Sequence, residues 1–207
     1  TELAYMAAML RDKHEVLLVD AQSRDIDNEK LQGIIDDFKP DVSVLSSATF
    51  QSWRCFPLTT RHITNAAPLL KGIKILTGPH GSYRTGVFQN YFDIVIKGEP
   101  EEAVVKIVNN DWADLQGVGF KTDNGWVERP GTNSVRDYDA LPFPAYELLP
   151  EKQIRKLDIF QINTTRGCPY VCTFCVRTMW GRIYRKMSPE NLAKQVRFIK
   201  DNFGFER

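Results

Sequence analysis

Apolar residues recur along the first half of the chain in two alternating rhythms. Leu3, Met6, Ala7 and Leu10 fall at i, i+3, i+4 and i+7, which predicts an amphipathic helix. Val16-Leu17-Leu18-Val19 is a short continuous apolar run ending at Asp20, the pattern of a strand buried on both faces. Helical spacing returns at Leu31, Ile34, Ile35 and Phe38, with Asp27 as its expected N-cap and Pro40 as its stop. Val42-Ser43-Val44-Leu45 predicts the next strand, ending in Ser46-Ser47. Ile63, Ala66, Ala67 and Leu70 form a further helical stripe, which Pro68 should kink or shorten. Ile73-Lys74-Ile75-Leu76 predicts a strand ending in Thr77-Gly78-Pro79-His80-Gly81, and Ile94-Val95-Ile96 another ending in Gly98-Glu99. Pro100 should open a helix whose first turn holds Glu101 and Glu102, matching the positive end of its dipole.

Strands alternating with helices at this spacing predict βαβ units with right-handed crossovers around a parallel sheet. A doubly wound sheet normally opens on a strand, whereas this chain opens on a helix, so its first strand is expected upstream of Thr1. Gly117 to Lys121 and Gly125 to Glu128 flank Asp123-Asn124-Gly125, a hairpin signal. Residues 1–129 are thus expected to form one α/β unit with a terminal hairpin. Residues 130–157 carry Pro130, Pro142, Pro144 and Pro150 and are expected to link it to a second unit over 158–207. That unit begins with a predicted strand, Ile159 to Thr164. It ends in a helix capped by Ser188, opened by Pro189, striped by Leu192, Val196, Ile199 and Phe203, and closed by Gly204.

Composition narrows the class. The 207 residues hold 27 Lys+Arg against 26 Asp+Glu, a net charge of +1, with 43% hydrophobic and 26% charged residues. This balance excludes a polybasic nucleic-acid arm, and no apolar run is long enough to span a membrane. Leu3–Leu10 lacks the basic start of a signal sequence, so a cytoplasmic location is expected. A chain of this length buries roughly 70% of its unfolded surface and needs no disulfide staples. It starts at Thr1, not Met, and stops at Arg207 inside an alternating pattern; a piece of a longer protein is therefore expected.

Three of the four cysteines crowd into Cys168-Pro169-Tyr170-Val171-Cys172-Thr173-Phe174-Cys175, a C-x3-C-x2-C loop after a predicted strand. An odd cluster without a secretion signal argues against disulfides. Three neighbouring thiolates repel one another unless a metal offsets their charge. Structural zinc takes four protein ligands, and ferredoxin loops use C-x2-C-x2-C with a fourth Cys. A [4Fe–4S] cube on three thiolates leaves one iron open to a small molecule. Zinc with a ligand from outside the chain remains the alternative. Cys55 reads as a buried thiol.

The phrase Thr165-Arg166-Gly167-Cys168-Pro169-Tyr170-Val171-Cys172-Thr173-Phe174-Cys175 resembles the radical S-adenosylmethionine superfamily. The resemblance implies that Cys168, Cys172 and Cys175 ligate the cluster and that the open iron chelates S-adenosylmethionine. The reduced cluster then cleaves this cofactor to a 5′-deoxyadenosyl radical. Phe174 would pack beside the cluster and the adenine, and Gly167 would let the backbone turn into the loop. A small-molecule substrate and a reductant such as flavodoxin or ferredoxin are implied with it.

The order of the opening helix, Ser46-Ser47, Gly78-Pro79-His80, Gly98-Glu99 and Leu141-Pro142-Phe143-Pro144-Ala145 resembles the class in which a cobalamin-binding domain precedes the barrel. On that resemblance Ser46, Ser47, Gly78, His80, Gly98 and Glu99 are the candidate cofactor contacts, since ligands bind outside the carboxyl ends of such strands. The implied architecture is a flavodoxin-like sheet lacking its first strand, followed by the first βα unit of a partial TIM-type barrel. Methyl transfer, or ring formation or rearrangement at an unactivated carbon, is the implied outcome. The stretch alone is expected to hold at most a labile cluster, with or without cobalamin, and not to complete the reaction.

Asp12-Lys13-His14 begins the Asp-x-His-x-x-Gly motif of an axial histidine, but Leu17 stands at the Gly position, so it is rejected as a ligand site. Glu99 and Glu101 also fit plain helix-start charges. Arg177, Arg182, Arg185 and Lys186 fit a solvated loop, or charge compensation near the cluster or an anionic substrate. Trp53, Trp126 and Trp180 read as packing residues. Two further readings stay open: a radical enzyme that binds no corrin, and a non-catalytic metal-binding or electron-carrying module.

Overall fold

The computed structural model describes residues 2–21, 26–47, 59–150, 154, 160, 162–175 and 179–204. Trp53, Cys55, Ile159 and Arg177 lie outside the described residues.

Helix α1 (Glu2–Leu10) and helix α2 (Asn28–Phe38) precede strand β1 (Val42–Ser46). Asp27 caps α2, its carboxylate accepting from Lys30 N–H at 2.9 Å, and Lys39 ends the helix in the left-handed conformation. Helix α3 (Arg61–Ala66) tightens into a 3-10 turn at Ala67–Leu69, where Pro68 sits. Strand β2 (Ile73–Thr77), the short helix α4 (Pro79–Tyr83), strand β3 (Ile94–Ile96) and helix α5 (Glu101–Val108) follow. Pro100 lies just before α5, one residue earlier than expected. Strands β4 (Val118–Thr122) and β5 (Gly125–Arg129) form the expected hairpin.

The five strands lie in the order β1-β2-β3-β4-β5. β1, β2 and β3 are parallel, and β4 runs antiparallel to β3 along Ile94–Phe120, Val95–Gly119 and Ile96–Val118. The sheet is therefore mixed and rich in parallel pairs. Strand alternation divides its core between two faces. Ile75, Ile94 and Ile96 point to one face and pack with Met6, Leu10, Val104 and Ile107 of α1 and α5. Leu76 and Val95 point to the other, against Ile63, Ala67, Phe88 and Phe92. Each such side chain contributes about 1.5–3 kcal/mol on burial, so helices are held to both faces.

Two expected strands differ. Residues 16–19 form no ladder among the described residues, and Leu17 is exposed. Val16 still packs on the α1 side of the core. A run of apolar residues signals burial, whereas a strand also needs a hydrogen-bonding neighbour. Over 158–207 the described part of the expected strand, residues 160 and 162–164, is not strand, although the Thr164 carbonyl accepts from Met187 N–H at 2.9 Å. The ladder falls instead on β6 (Thr165–Arg166) and β7 (Arg185–Lys186), antiparallel, with Arg166 opposite Arg185. Helix α6 (Pro189–Phe203) starts at Ser188, whose Oγ accepts from Asn191 N–H at 3.2 Å, and ends at Gly204. Its buried positions are Gln195 and Ile199, while Val196, expected in the apolar stripe, is exposed. Among the described residues no helix is long and apolar enough to cross a membrane.

Candidate functional site

The carboxyl ends of the three parallel strands converge. Ser46 ends β1, and Ser47, fully buried, follows it. The Ser47 amide donates to the Thr77 carbonyl at 2.8 Å, and its Oγ accepts from His80 N–H at 3.2 Å. The His62 ring nitrogen Nε2 lies 2.8 Å from the Ser47 carbonyl oxygen, and the two imidazoles meet edge-on at 6.0 Å. Gly78 starts the turn out of β2 with φ +95, and a Cβ there would stand 2.6 Å from Ser47 Oγ. No other residue type fits that close approach without strain. Ser82 Oγ accepts from Gly98 N–H at 2.9 Å and lies 2.8 Å from both the Gly78 carbonyl and the Met179 sulfur. Gly98, with φ +84, sits against the Asn133 backbone. Ser46, Ser47, Gly78, His80 and Gly98 thus lie at one end of the sheet, built from short side chains and close backbone turns.

Glu99, expected at the same cofactor, is placed differently. Its side chain is wholly buried and its carboxylate is used inside the protein. Oε2 accepts from Arg166 Nη1 (3.2 Å), Arg185 Nη1 (2.9 Å) and Val135 N–H (2.9 Å), and Oε1 accepts from Arg185 Nη2. Glu101 is equally buried and accepts from Arg166 Nη2 at 2.7 Å. The Arg166 guanidinium also lies over the Tyr138 ring, 4.8 Å from its centre. Two carboxylates here face two guanidinium groups. Burial opposes the charge on Arg166, but Glu101, Tyr138 and Glu99 outweigh it and hold its pKa well above the ordinary range. Burial pushes the Glu101 carboxyl up, and Arg166 restrains the shift. Burial also raises Tyr138 and Tyr5.

Gly167, Cys168 and the rest of the cysteine segment start directly after β6. Gly167 has φ +83, and a Cβ there would overlap the Ile183 carbonyl oxygen at 1.9 Å. The Cys168 amide donates to the Gly181 carbonyl at 3.2 Å, and the Cys175 amide to the Cys172 carbonyl at 3.2 Å. The three thiols are free and exposed. Around them Phe174 is 89% exposed, with Tyr170, Val171, Ile183 and Tyr184 also open. Among the described residues no three His, Cys, Asp or Glu side chains converge to hold a metal ion. The donor chemistry nonetheless fits an iron–sulfur cluster: three soft sulfur donors, unpaired with one another, lie within eight residues of an open loop.

Of the basic residues after the cysteines, Arg182 and Lys186 are exposed. Arg185 instead turns inward to Glu99, the Val135 carbonyl and the Trp180 carbonyl. Its charge is compensated by a protein carboxylate. The Arg166–Glu101 pair was not legible in the sequence, because its members lie 65 residues apart with no local signal. The Ser82–Met179 contact, 97 residues apart, was hidden for the same reason. His14 Nε2 lies 3.2 Å from Asn109 Oδ1.

No family model matches the chain. An uncharacterized methyltransferase of Pyrococcus horikoshii is 23% identical over 99% of this chain and 46% of its own length. An anaerobic magnesium-protoporphyrin IX monomethyl ester cyclase of Cereibacter sphaeroides is 23% identical over 98% of this chain and 35% of its own. The solved structure of the cobalamin-dependent S-adenosylmethionine radical enzyme OxsB, with aqua-cobalamin and S-adenosylmethionine bound, superposes with a TM-score of 0.73. It is 22% identical over 98% of this chain and 29% of that one. The chain is thus similar to proteins described as methyltransferases, as cyclases and as cobalamin-dependent radical S-adenosylmethionine enzymes, the class the sequence resemblance implied. Its α/β fold is that of the matching part of OxsB. The chain spans less than half the length of these relatives.

Proposed function

We propose that this chain is the cofactor-holding part of a cobalamin-dependent radical S-adenosylmethionine enzyme. The supporting observation is a loop of three free, exposed thiols joined to the carboxyl end of a parallel-rich sheet through Glu99 and Ser82. Cys168, Cys172 and Cys175 would hold a [4Fe–4S] cluster whose fourth iron takes the amine and carboxylate of S-adenosylmethionine. When bound, the cluster supplies the electron that cleaves this cofactor to a 5′-deoxyadenosyl radical, and cobalamin supplies a one-carbon carrier or a partner in ring chemistry.

The chain's own residues bind and orient. Gly167 turns the backbone so that Cys168 leaves β6 toward the loop. Arg166 and Arg185 fix the two stems. Phe174, exposed beside the thiols, is suited to cover the cluster and the adenine and to exclude water there. Ser46, Ser47, Gly78, His80 and Gly98 offer closely packed turns of small groups against which a corrin or its tail would lie. The whole enzyme would act on a small molecule in the cytoplasm, with electrons from flavodoxin or ferredoxin.

Oxygen-free reconstitution of the intact protein with iron, sulfide and aquacobalamin tests this. The expected result is four iron and four sulfide per chain, a retained corrin spectrum, and a reduced-cluster paramagnetic signal that changes when S-adenosylmethionine is added. A zinc-loaded, sulfide-free protein would return the non-catalytic metal module, and a cluster without retained corrin the corrin-free radical enzyme.

A further inference from the structure

The cysteine loop leaves and re-enters the fold through β6 and β7, where Arg166 and Arg185 stand opposite each other. Two guanidinium groups on facing positions repel. Both point inward: the Arg166 side chain is 1% exposed and that of Arg185 11%. A buried like-charge pair can persist only with a counter-charge between its members. Glu99 supplies it. One carboxylate accepts from both arginines, with the two parallel bonds of a fork from Arg185, and its Oε2 also accepts from the Val135 amide. Glu101 assists on the Arg166 side alone. Arg185 closes the arrangement by donating to the Trp180 carbonyl, inside the loop itself.

Glu99 follows Gly98 at the carboxyl end of β3, where its own amide donates to the Asn133 carbonyl at 2.9 Å. The carboxylate that gathers the loop stems is therefore anchored on the sheet end carrying Ser47, Gly78 and His80. Met179, within the loop segment, reaches Ser82 there as a second tie.

We propose that Glu99 is a positioning residue that pins both stems of the cysteine loop to the carboxyl end of β3. It sets the spacing of Cys168, Cys172 and Cys175 before any cluster is present, and it touches neither cluster nor substrate. This rests on the reading of the three thiols as a cluster site. Partners behind metal ligands act by fixing ligand orientation, and losing one typically weakens metal retention about 10–100-fold.

The test compares the intact protein with its Glu99→Gln variant, which keeps shape and removes the charge. Glu128→Gln, which removes from β5 the separate carboxylate that accepts from Thr85 and Lys97, is the control. In metal-free protein, deuterium uptake over residues 167–175 and 179–184 should rise in Glu99→Gln alone, with β2 and β3 unchanged. In reconstituted protein, iron loss to a chelator should be at least about tenfold faster in Glu99→Gln than in parent or control. If Glu99→Gln fails to fold by circular dichroism, Arg185→Lys replaces it, since it keeps the charge and loses the fork, and the same two changes are expected. Loop uptake and iron loss equal to the parent's overturn the proposal, as does an equal rise in uptake across the sheet, the mark of a merely structural role. A parent that holds no cluster while its loop uptake still responds to Glu99→Gln sinks the functional reading and leaves the positioning role standing.

Discussion

Arg166→Met isolates the electrostatics of the buried hub. The substitution keeps most of the side-chain volume and removes the charge from a position only 1% exposed. Glu99 retains Arg185, but Glu101 loses the Arg166 contact at 2.7 Å while remaining fully buried. At an effective dielectric of about 20, the lost attraction at that distance is about 6 kcal/mol. Glu101 limits the loss by taking a proton. From an ordinary carboxyl pKa of about 4.3 that costs about 4 kcal/mol at pH 7 and about 1 kcal/mol at pH 5. The folded Glu101 pKa, already raised by burial, rises further once its counter-ion is gone. A raised pKa contributes stability that is fully present below the unfolded value and lost as pH rises through the folded value. The deficit of Arg166→Met should therefore grow between pH 5 and pH 7 to at most about 4 kcal/mol, since the already raised Glu101 of the parent shares part of the loss. At pH 7 this lowers the melting temperature by at most roughly 8–16 °C for a chain of this size. Urea unfolding of the metal-free protein, followed by the emission of its four tryptophans, measures it. Adding Glu101→Gln should abolish this added pH dependence, because the buried carboxylate that lost its counter-charge is gone. A deficit that stays constant between pH 5 and pH 7 would refute the reasoning.

Gly167→Ala should cost at least about 1–2 kcal/mol from its left-handed backbone, and more from overlap with the Ile183 carbonyl. Gly181→Ala, also left-handed but with open space around it, should cost only the backbone part, and thermal melts compare the two. Cys172→Ala should leave the far-ultraviolet circular dichroism unchanged, because the side chain is exposed, while reconstituted iron falls to background. Asp139 accepts from the Ser188 amide at the start of α6, and these bonds hold its carboxyl below the usual range. Its stabilisation is present above that range and lost as pH falls through the lowered value. Asp139→Asn should thus flatten the acid limb of stability below about pH 4, as read by acid titration of the helix signal.

Local chemistry was legible along the chain wherever it acts over a few residues. The caps at Asp27 and Ser188, the stop at Gly204, the hairpin at 117–129 and the three parallel strands all follow from short-range periodicity and backbone preference. So does the cysteine spacing, which alone pointed to a three-thiolate site. Three matters were settled only in three dimensions, because each depends on a partner distant in sequence. Residues 16–19 have strand composition but form no ladder among the described residues, since pairing needs a neighbour as well as an apolar run. Val196 keeps helical spacing yet faces solvent, since which side of α6 is covered is decided by what packs against it. In sequence Glu99 and Glu101 fit charges at a helix start, Arg185 fits a basic loop, and Arg166 is one residue of the cysteine phrase. Tertiary packing takes them out of water, where each can remain charged only against an opposite charge from another segment, and that requirement joins the cysteine loop to the sheet.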